Sequence, residues 1–234
     1  MSLARLPALA VGNACVVRNR EIDAVVFDLG GVLIDWNPRH LYRRLFSDTD
    51  EMEAFLAGIC TSDWHRAHDL GADIKESCER LARLHPGYRD MIMAWAERGE
   101  EMAAGQFDQA VAVLAELKAT GQRCYALSNM EREVFPIRHA RFPFMQWFDG
   151  YVISGIEGVA KPDRRIFEIL LERYGLEPRA TVFVDDSKQN VEAAGAVGIN
   201  AVHYTSAQRL RQELRTFGAP LRPRAARTRP GPKT

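Results

Sequence analysis

Five side chains, four at the ends of apolar runs and one before a helical pattern, could do chemistry together: Asp28, Ser128, Asp185, Asp186 and Lys161. Asp28 follows Ala24–Phe27 in FDLGGVLID, and Ser128-Asn129 follow Cys124–Leu127 in YALSN. Lys161-Pro162 stand before a helical pattern in GVAKPD, and Asp185-Asp186 follow Thr181–Val184 in VFVDDS. Carboxylates from two strands can hold a hard divalent ion such as Mg²⁺, which prefers oxygen ligands. Ser and Lys can stabilise charge on the oxygens of a transferring phosphoryl group. A carboxylate nucleophile can form an aspartyl-phosphate that water then opens. Each residue alone is more often structural, but their joint occurrence in this order points to phosphoryl transfer.

The elements that must position these groups follow from the pattern. Apolar runs at Ala24–Phe27, Cys124–Leu127, Tyr151–Ile153, Thr181–Val184 and Ala201–Tyr204 have the length and composition of buried parallel strands. Helices are predicted over Phe107–Thr120, from Pro162 to Gly175, and over Ser187–Val197. This alternation predicts an α/β fold, a Rossmann-like parallel sheet with helices on both faces. Binding sites in such sheets form beyond the carboxyl ends of the strands, where all four segments fall. From Trp36 to Ala104 the sequence shows no strand signal, only helix-like segments at Leu41–Phe46, Met52–Ile59, Ile74–Leu84 and Tyr88–Met102. The expected organisation is a flexible leader (1–20), a discontinuous core (21–35 and 105–217), a small all-helical cap (36–104) and a disordered basic tail (218–234).

The bulk numbers narrow the function classes. Of 234 residues, 47% are hydrophobic and 26% charged, as in a soluble globular chain. Lys+Arg and Asp+Glu each number 31, so net charge favours neither nucleic acid nor an anionic membrane. From Gly218 onward five residues are basic and none acidic (Arg222, Arg224, Arg227, Arg229, Lys233), which leaves the rest net negative. Cys15, Cys60, Cys78 and Cys124 are too widely spaced for a metal or redox motif and read as reduced thiols of a cytoplasmic protein. No apolar run reaches the ~18 residues that a membrane span needs. A monomer or homodimer acting on a small phosphorylated metabolite is the expectation.

The four segments resemble motifs one to four of the haloacid dehalogenase superfamily, in order, across residues 24–204. The resemblance implies Asp28 as nucleophile and Ser128 and Lys161 as phosphate binders, and Asn129 beside Ser128 is taken as a further substrate-binding candidate. It implies Mg²⁺ held by Asp28, the Gly30 carbonyl and Asp186, with Asp185 as a further or water-mediated ligand and Asn190 behind. The helical insert resembles the cap of subfamily I. Most phosphatases of this superfamily carry a second Asp two residues after the nucleophile, as acid and base; here that position is Gly30. The form FDLGGVLID, and the cap segment TSDWHRAHDLG, resemble the glucose-1-phosphatase-like branch, which implies a sugar phosphate whose leaving group departs easily, or a proton from the cap. General acid catalysis is typically worth ~10²–10⁴-fold, so the substitution matters.

In the cap, His65, His68 and Asp69 cluster beside Gly71 and could form a substrate loop; His65 and Asp69 are taken as substrate-binding candidates. Asp35 is expected to brace the loop into the cap, Trp36 and Trp64 to pack, and Arg39, Arg43 and Arg44 to form an exposed face. The rivals are a 2-haloacid dehalogenase, which needs no metal, a phosphomutase, which relies on the acid that Gly30 replaces, and a catalytically impaired binder of phosphometabolites.

Overall fold

The computed structural model describes residues 22–221. Five strands form one parallel sheet in the order β5-β4-β1-β6-β7, with β1 Ala24–Phe27, β4 Arg123–Ser128, β5 Gly150–Ile153, β6 Thr181–Asp185 and β7 Asn200–His203. Successive side chains of a strand point to opposite faces, and the two cores sort accordingly. Val25, Phe27, Cys124, Ala126, Val182 and Val184 face one core, shared with α6 (Asp108–Ala119) and α11 (Ala207–Thr216). Ala24, Val26, Tyr125, Leu127 and Phe183 face the other, shared with α9 (Arg164–Tyr174) and α10 (Lys188–Ala196). Both faces are covered, so each central strand reads as an unbroken apolar run.

Two further strands escape the sequence reading. β2 (Ile34–Trp36) and β3 (Ala103–Gln106) pair antiparallel, with Ile34 opposite Gln106 and Trp36 opposite Ala103. The stretch expected to carry no strand therefore begins and ends on a two-stranded sheet, too short to show an alternating pattern. Between them lie α1 (Arg39–Tyr42), α2 (Thr49–Gly58), α3 (Ser62–Asp69), α4 (Ile74–Leu84) and α5 (Arg89–Arg98). These helices enclose a third apolar cluster around Tyr42, Phe55, Cys78 and Trp95. The remaining helices are α7 (Val134–Arg141) after β4 and α8 (Ser154–Glu157) after β5.

Other expectations need correction. The helix foreseen from Pro162 starts at Arg164, because Asp163 is its cap and accepts from the Arg165 amide at 2.8 Å. The helix foreseen over Leu41–Phe46 is the shorter α1, and Tyr88–Met102 divides into α5 and a 3₁₀ turn at Gly99–Met102. Arg39 does not belong to an exposed face: its guanidinium grips Glu53 of α2, with Nε 2.6 Å from Oε1. Ala219 and Leu221 are buried against the sheet core, so the ordered chain runs past Gly218, where a disordered tail was expected to begin. The leader, Cys15 and the basic tail residues from Arg222 lie outside the described residues. Among the described residues, no helix is long and apolar enough to cross a membrane.

Candidate active site

Each sheet strand delivers its last residue to the same edge. Asp28 leaves β1 with its amide bonded to Val184 O of β6 at 2.8 Å, and its Oδ1 accepts from the next amide, Leu29, at 2.7 Å. Lys161 comes from the loop after α8 and is 1% exposed. Its ammonium reaches Leu127 O at 3.0 Å, Asp185 Oδ2 at 2.7 Å and Asp28 Oδ1 at 2.9 Å. Those contacts account for its three protons. The lysine expected to grip phosphate is thus engaged between two carboxylates.

Asn129 has a similar surprise. Its amide holds the Lys161 backbone from both sides, donating to Lys161 O at 3.0 Å and accepting from Lys161 N at 2.9 Å. The side chain expected to touch substrate instead fixes the lysine. Ser128 is buried, its hydroxyl only 3.5 Å from Asn129 O, which leaves its donor weakly engaged.

Asp185 is fully buried and accepts from Lys161, from the Ser187 amide at 2.8 Å and from Asn190 Nδ2 at 3.0 and 3.1 Å. Asp186 points toward the solvent side, and its carbonyl meets His203 Nε2 at 2.9 Å. Asp28, Asp185 and Asp186 each bring one carboxylate oxygen within 4.8 Å of the others. Gly31 makes this approach possible. Its φ is +73°, and a Cβ there would overlap the Asp186 carboxylate.

The electrostatics follow from the crowding. Burial pushes the Asp28 carboxyl up to about 7; Lys161 opposes that rise, while Asp185 and Asp186 add to it. Burial also pulls Lys161 toward its neutral form, but Asp28 and Asp185 outweigh it and hold the ammonium above its usual range. Asp186 is raised by burial and then by Asp185. One ammonium among three carboxylates leaves a local excess of negative charge. The residues therefore suit an additional hard cation.

Over this edge lies a cavity of about 600 Å³. Asp28, Gly30, Ser128, Asn129 and Asp186 line it from the sheet, and Trp36, Arg39, His65, Asp69 and Trp95 from the opposite side. The sequence reading missed Glu131 and Arg39 as wall residues. Glu131 stands three positions beyond Ser128 on a loop at the strand edge, a position that could have been inspected for that reason. Arg39 carried no such signal, since only its pairing with Glu53 turns it to the cavity rim.

The cap wall is built differently. The His65 ring stacks on Trp36 at 5.2 Å and 18° and leans on Trp95 at 5.1 Å. Its Nε2 is 3.8 Å from Asp69 Oδ1, and its Nδ1 is 3.7 Å from Glu131 Oε1. Both are too long for hydrogen bonds and become ion pairs only when the ring carries a second proton. His68 is wholly buried, edge-on to Trp64, and neither ring nitrogen has a hydrogen-bond partner among the described residues. Burial lowers its pKa to about 4, with His65 adding to the fall. Asp69 is pushed up to about 6, mainly by burial. Asp35 bonds His40 at 2.9 Å, a bracing contact.

Comparison with known proteins places this arrangement. The chain is 30% identical over 194 residues to a sesquiterpene phosphatase of Aspergillus oryzae, covering 82% of this chain and 94% of that protein. It is 26% identical over 191 residues to a phosphorylated carbohydrates phosphatase of Thermotoga maritima, covering 78% and 84%. A haloacid dehalogenase family enzyme of Bacteroides thetaiotaomicron, whose structure holds magnesium and inorganic phosphate, shares the fold with a TM-score of 0.59 at 20% identity, over 79% of this chain and 94% of that one. Residues 22–198, which include the whole strand edge from Asp28 to Asp186, match the haloacid dehalogenase-like hydrolases, and the chain belongs to that family.

Proposed function

We propose that this hydrolase is a Mg²⁺-dependent phosphatase of a small phosphorylated metabolite, with Asp28 as nucleophile. The observation that carries the reading is the buried Asp28 carboxylate, fixed by Leu29 N and Lys161 and grouped with Asp186 on the sheet side of a capped cavity. Asp28, the Gly30 carbonyl and Asp186 would hold the ion. Asp185, whose oxygens are spent on Lys161, Asn190 and Ser187, stands behind them. Bound there, the ion would supply positive charge that lets one anion approach another. Lys161 favours the ionised form of Asp28 and aims it, and Asn129 keeps Lys161 in place. Ser128 offers its hydroxyl to a phosphate oxygen. Asp28 attacks phosphorus, the ester oxygen leaves, and water then hydrolyses the acyl phosphate to release inorganic phosphate and restore Asp28.

The polar cap wall, with His65, Asp69 and Arg39, favours a hydroxylated leaving group, so a sugar phosphate is the proposed class, as the likeness to the glucose-1-phosphatase-like branch also suggests. The acidic Asp185-Asp186 pair supports phosphate over a haloacid. The test is phosphate release from a panel of phosphorylated metabolites, with and without EDTA, by wild type and Asp28→Asn. Release that needs metal and vanishes in the variant is expected. Activity that survives chelation would exclude the metal-dependent reading, and silence across the panel would favour a binding protein.

A further inference from the structure

An alkoxide is a poor leaving group, and its departure needs a proton. Among the described residues around Asp28, the most buried ionisable groups of the core are already engaged. Asp185 is saturated with donors, Lys161 has its three protons engaged, and position 30 has no side chain. We propose that His65 supplies that proton from the cap, with the Asp69 and Glu131 carboxylates holding its positive charge. This rests on the phosphatase reading and adds to it the residue that handles the leaving group.

Three observations converge on His65. Its ring is fixed in the cavity wall between Trp36 and Trp95, so the orientation is set before substrate arrives. Each ring nitrogen faces a carboxylate at 3.7–3.8 Å, near enough to stabilise an imidazolium and too far to take its protons. The third observation concerns position 30 itself. A Cβ built on Gly30 would lie 3.9 Å from Trp36 Cβ, and the ring of that same Trp36 is the one on which His65 stacks. Trp36 thus touches both the open position 30 and His65.

The step balances. As Asp28 bonds to phosphorus and the P–O ester bond breaks, the imidazolium proton passes to the departing oxygen and leaves neutral His65. In the second step His65 takes a proton from the water that attacks the acyl phosphate, which regenerates the imidazolium and frees phosphate.

The experiment compares ethyl phosphate, whose leaving group needs a proton, with p-nitrophenyl phosphate, whose nitrophenolate does not. His65→Asn is expected to lose ~10²–10⁴-fold in kcat on ethyl phosphate and far less on p-nitrophenyl phosphate. A Cβ at Gly30 meets only ordinary contact, so Gly30→Asp can be built into the His65→Asn background, and it is expected to recover at least tenfold on ethyl phosphate. Asp69→Asn, which keeps the ring, should cost less than His65→Asn. Equal losses of His65→Asn on both substrates, a wild type that cleaves only the nitrophenyl ester, or a leaving-group-selective defect in Asp69→Asn but not in His65→Asn would each overturn the assignment. A wild type inert toward both esters would instead sink the phosphatase reading itself.

Discussion

On the core side of the cavity, Lys161 spends three protons on Leu127 O, Asp28 and Asp185, and Asp185 answers with four contacts to Lys161, Asn190 and Ser187. On the cap side, His68 keeps both ring nitrogens without a partner among the described residues, and His65 meets its carboxylates only at 3.7–3.8 Å. The first wall is a closed hydrogen-bond network in which charges are fixed before any ligand arrives, which is the arrangement that favours charge stabilisation in a transition state. The second is held largely by ring stacking, and His65 lines the cavity without a hydrogen bond at the distances of its carboxylates. Chemistry that is the same for every phosphate ester can be set rigidly, while recognition of the leaving group needs unsatisfied groups to recruit.

That contrast can be broken at Lys161. Replacing it with Met leaves Asp28 and Asp185 buried without their cation, and the loss of a buried partner typically costs ~3–5 kcal/mol. Urea unfolding at pH 7 measures this as a lower midpoint with an unchanged slope. A cost under ~1 kcal/mol would mean that the core network is not the rigid half.

His68→Phe probes the packing behind the other wall and should behave oppositely. It removes two unpartnered nitrogens and keeps a ring against Trp64, so at pH 8 it should fold within ~1 kcal/mol of wild type. The difference should grow on acidification. Below pH 6.5 the unfolded chain binds a proton that folded His68 refuses until about pH 4, so wild type loses stability across that window. The variant should escape up to ~3 kcal/mol of that loss. Asp69, raised to about 6, works in the other direction, since its folded form binds the proton more tightly and gains stability as pH falls. Because Asp69 is common to both proteins, the difference between their pH curves isolates His68, and parallel curves would show that its burial carries no such penalty.

The smallest effect is expected at Gly31. Gly31→Ala forces a Cβ into the Asp186 carboxylate at a φ of +73° and should raise the Mg²⁺ concentration needed for half-maximal activity by ~10–100-fold. An unchanged Mg²⁺ requirement would mean that Asp186 has room to move and that the core wall is softer than its hydrogen bonds suggest.

The sequence alone determined the sheet and the order of groups along its edge. AVVF, CYAL and TVFV are buried on both faces, so apolar character is continuous and each strand declares itself without reference to its neighbours. Asp28, Ser128 and Asp185-Asp186 are legible for the same reason, since each stands where such a run stops, and Lys161 is legible from the helical pattern that follows it. The short pair β2 and β3 was not legible, because strands of three and four residues carry no period and exist through each other. Only the tertiary structure decided that Lys161 would be locked between carboxylates and that Asn129 would hold it. It alone turned Arg39 inward to Glu53 and brought Glu131 to His65 across 66 positions of chain. Those outcomes depend on distances between side chains remote in sequence, and local patterning records which residues are buried but not what they meet.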